Sequence, residues 1–183
     1  KLTNNINLKL DHDDFNFETG FQSFENLRTK NQSDRYQYVL PYYNFEKYIS
    51  KNLFNGNVSF SSNGNNVLDS TNKLETNITN NLTYNSTDFI SNSGFKNNFG
   101  INLKNLNSVG KKSSKYKSSL QSELVSLYNL DVSLPLKKNN QKSINYLTPK
   151  LSLRFNPHDM KDYSSLSRNI DAHNAFAINR LGL

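Results

Sequence analysis

Leu147, Pro149, Leu151, Leu153 and Phe155 alternate with Thr148, Lys150, Ser152 and Arg154. Leu2, Ile6, Leu8 and Leu10 alternate in the same way with Thr3, Asn5, Asn7 and Lys9, and Phe95, Phe99, Ile101 and Leu103 with Lys96, Asn98, Asn102 and Lys104. A repeat of two residues gives a β-strand with one dry face and one wet face. No window sustains the i, i+3, i+4, i+7 stripe of an amphipathic helix, so the pattern predicts an all-β chain. Strands are expected at 2–10, 15–24, 35–50, 57–62, 72–84, 95–103, 116–136, 146–155 and 174–183.

The connections add topology. Those at 11–14 and 51–56 are short, those at 25–34, 62–71, 104–115 and 156–173 long, and those at 85–94 and 137–145 intermediate. Short turns alternating with long loops suit an antiparallel up-and-down transmembrane β-barrel, with the long loops outside the cell. Nine strands is an odd number, whereas bacterial single-chain barrels close with an even one. Residues 1–183 are therefore expected to be an open segment of one larger outer-membrane barrel domain, incomplete at both ends.

Only 34% of the 183 residues are hydrophobic, yet there are 10 Tyr and 12 Phe. A barrel with a wet interior needs an apolar residue at only every second position of its membrane band, which accommodates so polar a chain. Asn supplies about one residue in six, which compositional bias accounts for. Cysteine is absent, so neither a disulfide framework nor a thiolate metal site is expected. A net charge of +7 and a pI near 9.5 permit an anionic partner such as lipid phosphate or acidic polysaccharide. The tight basic groups are Lys111, Lys112, Lys115 and Lys117, and the pair Lys137 and Lys138. No basic groove lined with stacking aromatics is evident, so no nucleic-acid partner is expected.

Candidate chemistry is sparse. His12 lies among Asp11, Asp13 and Asp14, His158 precedes Asp159, and His173 stands far from both; solvated turns explain them better than a metal site, whose ligand spacing is missing. No Gly-x-Ser-x-Gly elbow, P-loop or Gly-x-Gly-x-x-Gly occurs. Neither an enzyme nor a cofactor is expected. Pro41, Pro135 and Pro149 fall within strand-like runs, where a missing N–H forfeits a ladder bond, so each is expected at a strand end, a bulge or an edge.

Three segments resemble a known family. Arg35-Tyr36-Gln37-Tyr38-Val39-Leu40-Pro41 resembles a strand opening of the lipopolysaccharide-assembly outer-membrane proteins, the LptD or organic-solvent-tolerance family. The run from Leu147 through Pro149 to Pro157 is similar to a later strand of that barrel. The third segment, 171–182, is similar to the family's Asp-x-x-Asn-(Leu/Ala)-Phe-x-x-Asn-Arg-x-x-Gly stretch through Asn174, Phe176, Asn179, Arg180 and Gly182. The matches fall in the family's order and span most of 35–183, while 1–34 fits by pattern alone.

The resemblance implies an outer-membrane barrel that inserts lipopolysaccharide into the outer leaflet. It also implies a lipoprotein plug in the lumen and a periplasmic bridge protein as partners. Lys9, Lys150 and Arg154 are candidate lumen-facing residues, either touching phosphorylated sugars or serving as generic lumen solvation. Two other functions fit the pattern. A porin or uptake receptor shares the strands without the ordered matches at Pro41, Pro149 and Asn179-Arg180. A soluble β-rich surface adhesin lacks an outward apolar band and stays in solution without detergent.

Overall fold

In the computed structural model the described residues are 2–28, 35–50, 55–70 and 72–158. Eleven strands follow one another: β1 (Leu2–Asp11), β2 (Phe15–Glu25), β3 (Tyr36–Ser50), β4 (Gly56–Asp69), β5 (Lys73–Ser86), β6 (Phe89–Ile90), β7 (Lys96–Lys111), β8 (Gln121–Ser133), β9 (Leu136–Asn139), β10 (Ile144–Leu147) and β11 (Lys150–Phe155). The all-β expectation holds, and no helix occurs among the described residues. Nine strands form a sheet in the order β1-β2-β3-β4-β5-β7-β8-β11, with β6 on β7, while β9 and β10 form a sheet of two. The pairs β1–β2, β2–β3, β6–β7, β8–β11 and β9–β10 are antiparallel. Apart from β6 and the inserted β9–β10 hairpin, sequence neighbours pair, and among the described residues the order has two ends, β1 and β11. The expected strand at 174–183 and most of the connection 156–173 lie outside the described residues, as do Asn174, Phe176, Asn179, Arg180 and Gly182.

The chain divides into two compact parts. One comprises residues 1–49, 59–82 and 104–124. Its first hairpin closes tightly: His12 N–H donates to the Phe15 carbonyl at 2.9 Å and Phe15 N–H to that of His12 at 3.3 Å. Between β2 and β3, Gly20 opposes Tyr42 but Gln22 opposes Val39. Phe21 therefore faces two residues, Leu40 and Pro41, which is a β-bulge. Pro41 sits where the ladder is already interrupted, and the bulge expectation holds.

Two connections expected to be long are mostly strand. β4 runs to Asp69 through Asn63-Gly64-Asn65-Asn66, and β7 runs to Lys111. The turn signal of Asn-Gly is overridden because the polar side chains find partners across the strands. Thr76 donates to Asn66 at 2.7 Å and Asn77 to Asn65 at 2.8 Å. Gly64 is needed for space: a Cβ there would lie 2.6 Å from a Tyr43 ring carbon. The sorting of short and long connections by side therefore does not hold, since only three residues separate β4 from β5.

The other part comprises residues 50–58, 83–103 and 125–183. The expected strand 116–136 starts only at Gln121 and stops at Ser133, and the expected strand 146–155 is broken at Thr148-Pro149. Both breaks belong to one hairpin. Ser133 opposes Lys150, Leu136 opposes Leu147, and Leu134 N–H donates to the Pro149 carbonyl at 3.0 Å. The register is unchanged across the gap, so Pro135 and Pro149 interrupt the ladder without shifting it. The expected turn 137–145 is largely the β9–β10 hairpin, closed by Asn140 N–H on the Ser143 carbonyl at 2.8 Å.

Among the described residues the buried apolar side chains are Val58, Val125 and Leu127, and no side chain is fully buried. We expect Gly64→Val to destabilise the fold by about 1–3 kcal/mol through overpacking against Tyr43. The urea midpoint of the Gly64→Val/Tyr43→Ala double variant should fall by less than the sum of the two single variants.

Candidate functional site on the polar face

Residues opposed across an antiparallel pair share a face, so the register sorts the side chains. In the first part, Ile6, Leu8 and Leu10 lie on the side of Phe17, Phe21 and Phe45. In the other, Leu151, Leu153 and Phe155 lie on the side of Val132, Leu130 and Tyr128. Among the described residues nothing covers these apolar faces. Ile6 is 74% exposed, Leu8 66%, Leu151 57% and Phe155 63%.

The opposite faces carry the charge. In the first part Lys9 opposes Glu18, Asp11 opposes Asn16, and Asn16 opposes Glu46. Lys9 Nζ is 3.1 Å from an Asp11 carboxylate oxygen. These residues line a cleft of about 320 Å³ with Ser61 and Asn63. Lys9 thus occupies the polar face, as its alternation required.

In the other part Lys150, Ser152 and Arg154 oppose Ser133, Asp131 and Asn129. Asp131 is the hub: Ser152 donates its hydroxyl to it, Arg154 Nη1 lies 3.2 Å away, and Asn129 donates at 3.2 Å. A cleft of about 310 Å³ beside it is lined by Lys150, Ser152, Asp88 and Lys96, the last two ion-paired at 2.8 Å. Lys150 and Arg154 therefore share one polar surface, while Lys9 belongs to the other part. Asp131 and Ser152 were missed because one polar residue among many carries no label in sequence; only their two-residue spacing from Asn129 and from Lys150 and Arg154 marked the face.

A second polar feature crosses the apolar side of the first part. Tyr43, two residues from Phe45, shares a hydrogen bond with Ser62 at 3.0 Å, and Ser62 donates to Asn80 at 2.7 Å. Asn80 donates to Asn105 at 3.1 Å, and Asn105 to Ser122 at 3.3 Å and to the Glu123 carbonyl at 3.2 Å. This belt joins β3, β4, β5, β7 and β8. Ser62 is only 9% exposed, so its hydroxyl needs the partners the belt supplies.

The histidines take structural roles where described. His12 Nδ1 accepts Asp14 N–H at 3.2 Å and its ring stacks on Phe15. His158 Nε2 contacts the buried Ser126 hydroxyl at 3.1 Å. His173 lies outside the described residues. Among the described residues no group of three metal-ligating side chains converges. Pro149 lies between β10 and β11, and Pro157 follows β11 in irregular backbone.

In comparisons with known proteins, no family model, no curated protein and no solved structure matches the chain.

Asp131 and Arg154 are part-exposed, with 39% and 28% of their side-chain surface open. A double-mutant cycle on Asp131→Ala and Arg154→Ala should give a coupling of about 0.2–1 kcal/mol at low salt. In about 1 M NaCl the coupling should shrink, because screening then acts over a few ångströms.

Proposed function

We propose that this chain is part of an outer-membrane β-barrel that delivers lipopolysaccharide to the outer leaflet, its apolar faces turned to lipid and its polar faces to a wet lumen. The observation that carries the membrane reading is the uncovered apolar face, with Ile6, Leu8, Leu151 and Phe155 all more than half exposed. Leaving such a side chain in water forfeits about 1.5–3 kcal/mol each. Among the described residues the buried apolar side chains Val58, Val125 and Leu127 do not offset that. Lipid satisfies the whole face at once.

The meander order supports a barrel over a sandwich, which relies on Greek-key crossovers between two sheets. β4, β5 and β7 have 14, 14 and 16 residues, whereas about 9–11 tilted residues cross a bilayer. The Tyr43–Ser62–Asn80–Asn105 belt fits as the level at which the outward face leaves the hydrocarbon. The cargo rests on the resemblance at 35–41 and 147–157 and on polar faces that carry Lys9, Lys150 and Arg154. Those two segments set this reading above a porin or uptake receptor.

The chain contains no Trp, which makes single-Trp variants clean probes. In bilayers containing brominated lipid, Leu151→Trp should be quenched and Ser152→Trp should not. Equal quenching at the two neighbours would sink the orientation. By the same logic Leu151→Arg should cost about 2–4 kcal/mol if it lies near the bilayer midplane, and Ser152→Arg little. Depleting the intact protein in its host should strand newly made lipopolysaccharide short of the cell surface; undiminished surface delivery, with lost solute uptake instead, selects the porin or receptor.

A further inference from the structure

Four exposed lysines, Lys111, Lys112, Lys115 and Lys117, crowd the β7–β8 connection. Among the described residues none of them forms an ion pair, whereas Lys9, Lys73, Lys96 and Arg154 all do. Glu75 carries a carboxylate that attracts Lys115, and it has other partners as well. Lys73 Nζ is 3.1 Å from it, and Ser113 donates its hydroxyl to it at 2.6 Å. One carboxylate among four cations leaves the connection net positive.

The connection is also built. Ser113 Oγ accepts the backbone N–H groups of Lys115 at 2.9 Å and Tyr116 at 3.0 Å. Gly110 N–H donates to the Lys117 carbonyl at 2.8 Å, which folds the segment back on the end of β7. A Cβ at Gly110 would meet that of Tyr116 at 2.9 Å, so only glycine allows this approach. Lys112 holds the left-handed conformation, φ 53°, where a glycine or asparagine fits with less strain. The result is a shallow cleft of about 580 Å³ lined by lysines, Tyr116 and the hydroxyls of Ser113, Ser114, Ser118 and Ser119. Lys115 lies over the Tyr116 ring at 4.7 Å, and its contact with that side chain holds its ammonium above the ordinary lysine range. Lysine ammoniums only donate and serine hydroxyls can donate, the chemistry that fits phosphate oxygens.

We propose that residues 110–119 form a phosphate-binding loop whose ligand is the phosphomonoester of a lipid-borne saccharide headgroup. The phosphate chemistry stands on the loop alone; the lipid-borne source rests on the membrane reading above. β7 extends six residues beyond Asn105 of the polar belt, about 20 Å along the strand, which places the loop at the level of headgroup sugars and clear of acyl chains.

The test uses the full chain in neutral detergent micelles, titrated with a phosphorylated glucosamine glycolipid, the same glycolipid after phosphatase treatment, and inorganic phosphate. Binding is read by calorimetry and by the shifts of the loop amides. The phosphorylated glycolipid should bind at least tenfold more tightly than its dephosphorylated form. Lys112→Gln/Lys115→Gln/Lys117→Gln should abolish that preference, and Ser113→Ala should weaken it with no change of charge. Lys137→Gln/Lys138→Gln, which removes two charges from the β9–β10 hairpin, should leave it intact. Loss of the preference in the hairpin variant, or its survival in the triple-lysine variant, overturns the loop as the site. Inorganic phosphate binding as tightly as the glycolipid overturns the headgroup assignment while keeping the phosphate chemistry. Failure of the membrane reading shows separately, as absent quenching of Leu151→Trp by brominated lipid.

Discussion

A β-layer can satisfy its backbone within itself, but it has two faces, and alternation sends every second side chain to each. That constraint governs the rest of this chain. The ladders pair N–H and C=O groups from strand to strand, so the remaining question is what meets each face. On one side Leu8 and Leu10, and in the other part Leu151, Leu153 and Phe155, stand uncovered among the described residues. Under the proposed membrane reading, the free energy of burial is realised against lipid, and the stability of the sheet depends on its surroundings.

The polar residues solve a different problem. An Asn or Ser on a strand has side-chain donors and acceptors that compete with the ladder unless they are engaged elsewhere. Here they engage one another across strands: Asn65 with Asn77, Asn66 with Thr76, Asn81 with Ser61, and Asn80 with both Ser62 and Asn105. The abundance of Asn, which compositional bias explains at the level of sequence, becomes a source of cross-strand bonds at the level of structure. Each such bond adds on the order of 1 kcal/mol or less, but together they hold in register strands with little apolar core to do so.

What was legible follows from the same physics. Alternation is local, so the strand centres of β1, β2, β3 and β11 and the polar placement of Lys9, Lys150 and Arg154 could be read directly. The ends could not. Asn63-Gly64-Asn65-Asn66 carries the composition of a turn, and only its partners on β5 and the ring of Tyr43 on β3 make it strand; those partners lie 10 to 21 residues away. Residues 104–111 were lost to the loop for the same reason. The Asp131 hub was invisible because a carboxylate acquires its role from Arg154 and Ser152, more than 20 residues later in the chain.

The prolines show how far such interruptions are tolerated. Pro41 sits in a bulge, where Phe21 faces two residues and a ladder bond is already absent. Pro135 and Pro149 stand on the two strands of a single hairpin, at nearly opposed positions. Pro149 still accepts the Leu134 N–H, and Pro135 falls at the neighbouring position, so both missing donors lie within one short interruption rather than two. The hairpin therefore loses a rung and keeps its count: Leu136 still opposes Leu147, as Ser133 opposes Lys150. A break that preserves register preserves the sorting of faces in β8 and β11, so Leu151 and Leu153 stay on the apolar side and Ser152 and Arg154 on the polar one. The chain can thus interrupt its ladders at proline without mixing the two surfaces on which its proposed function depends.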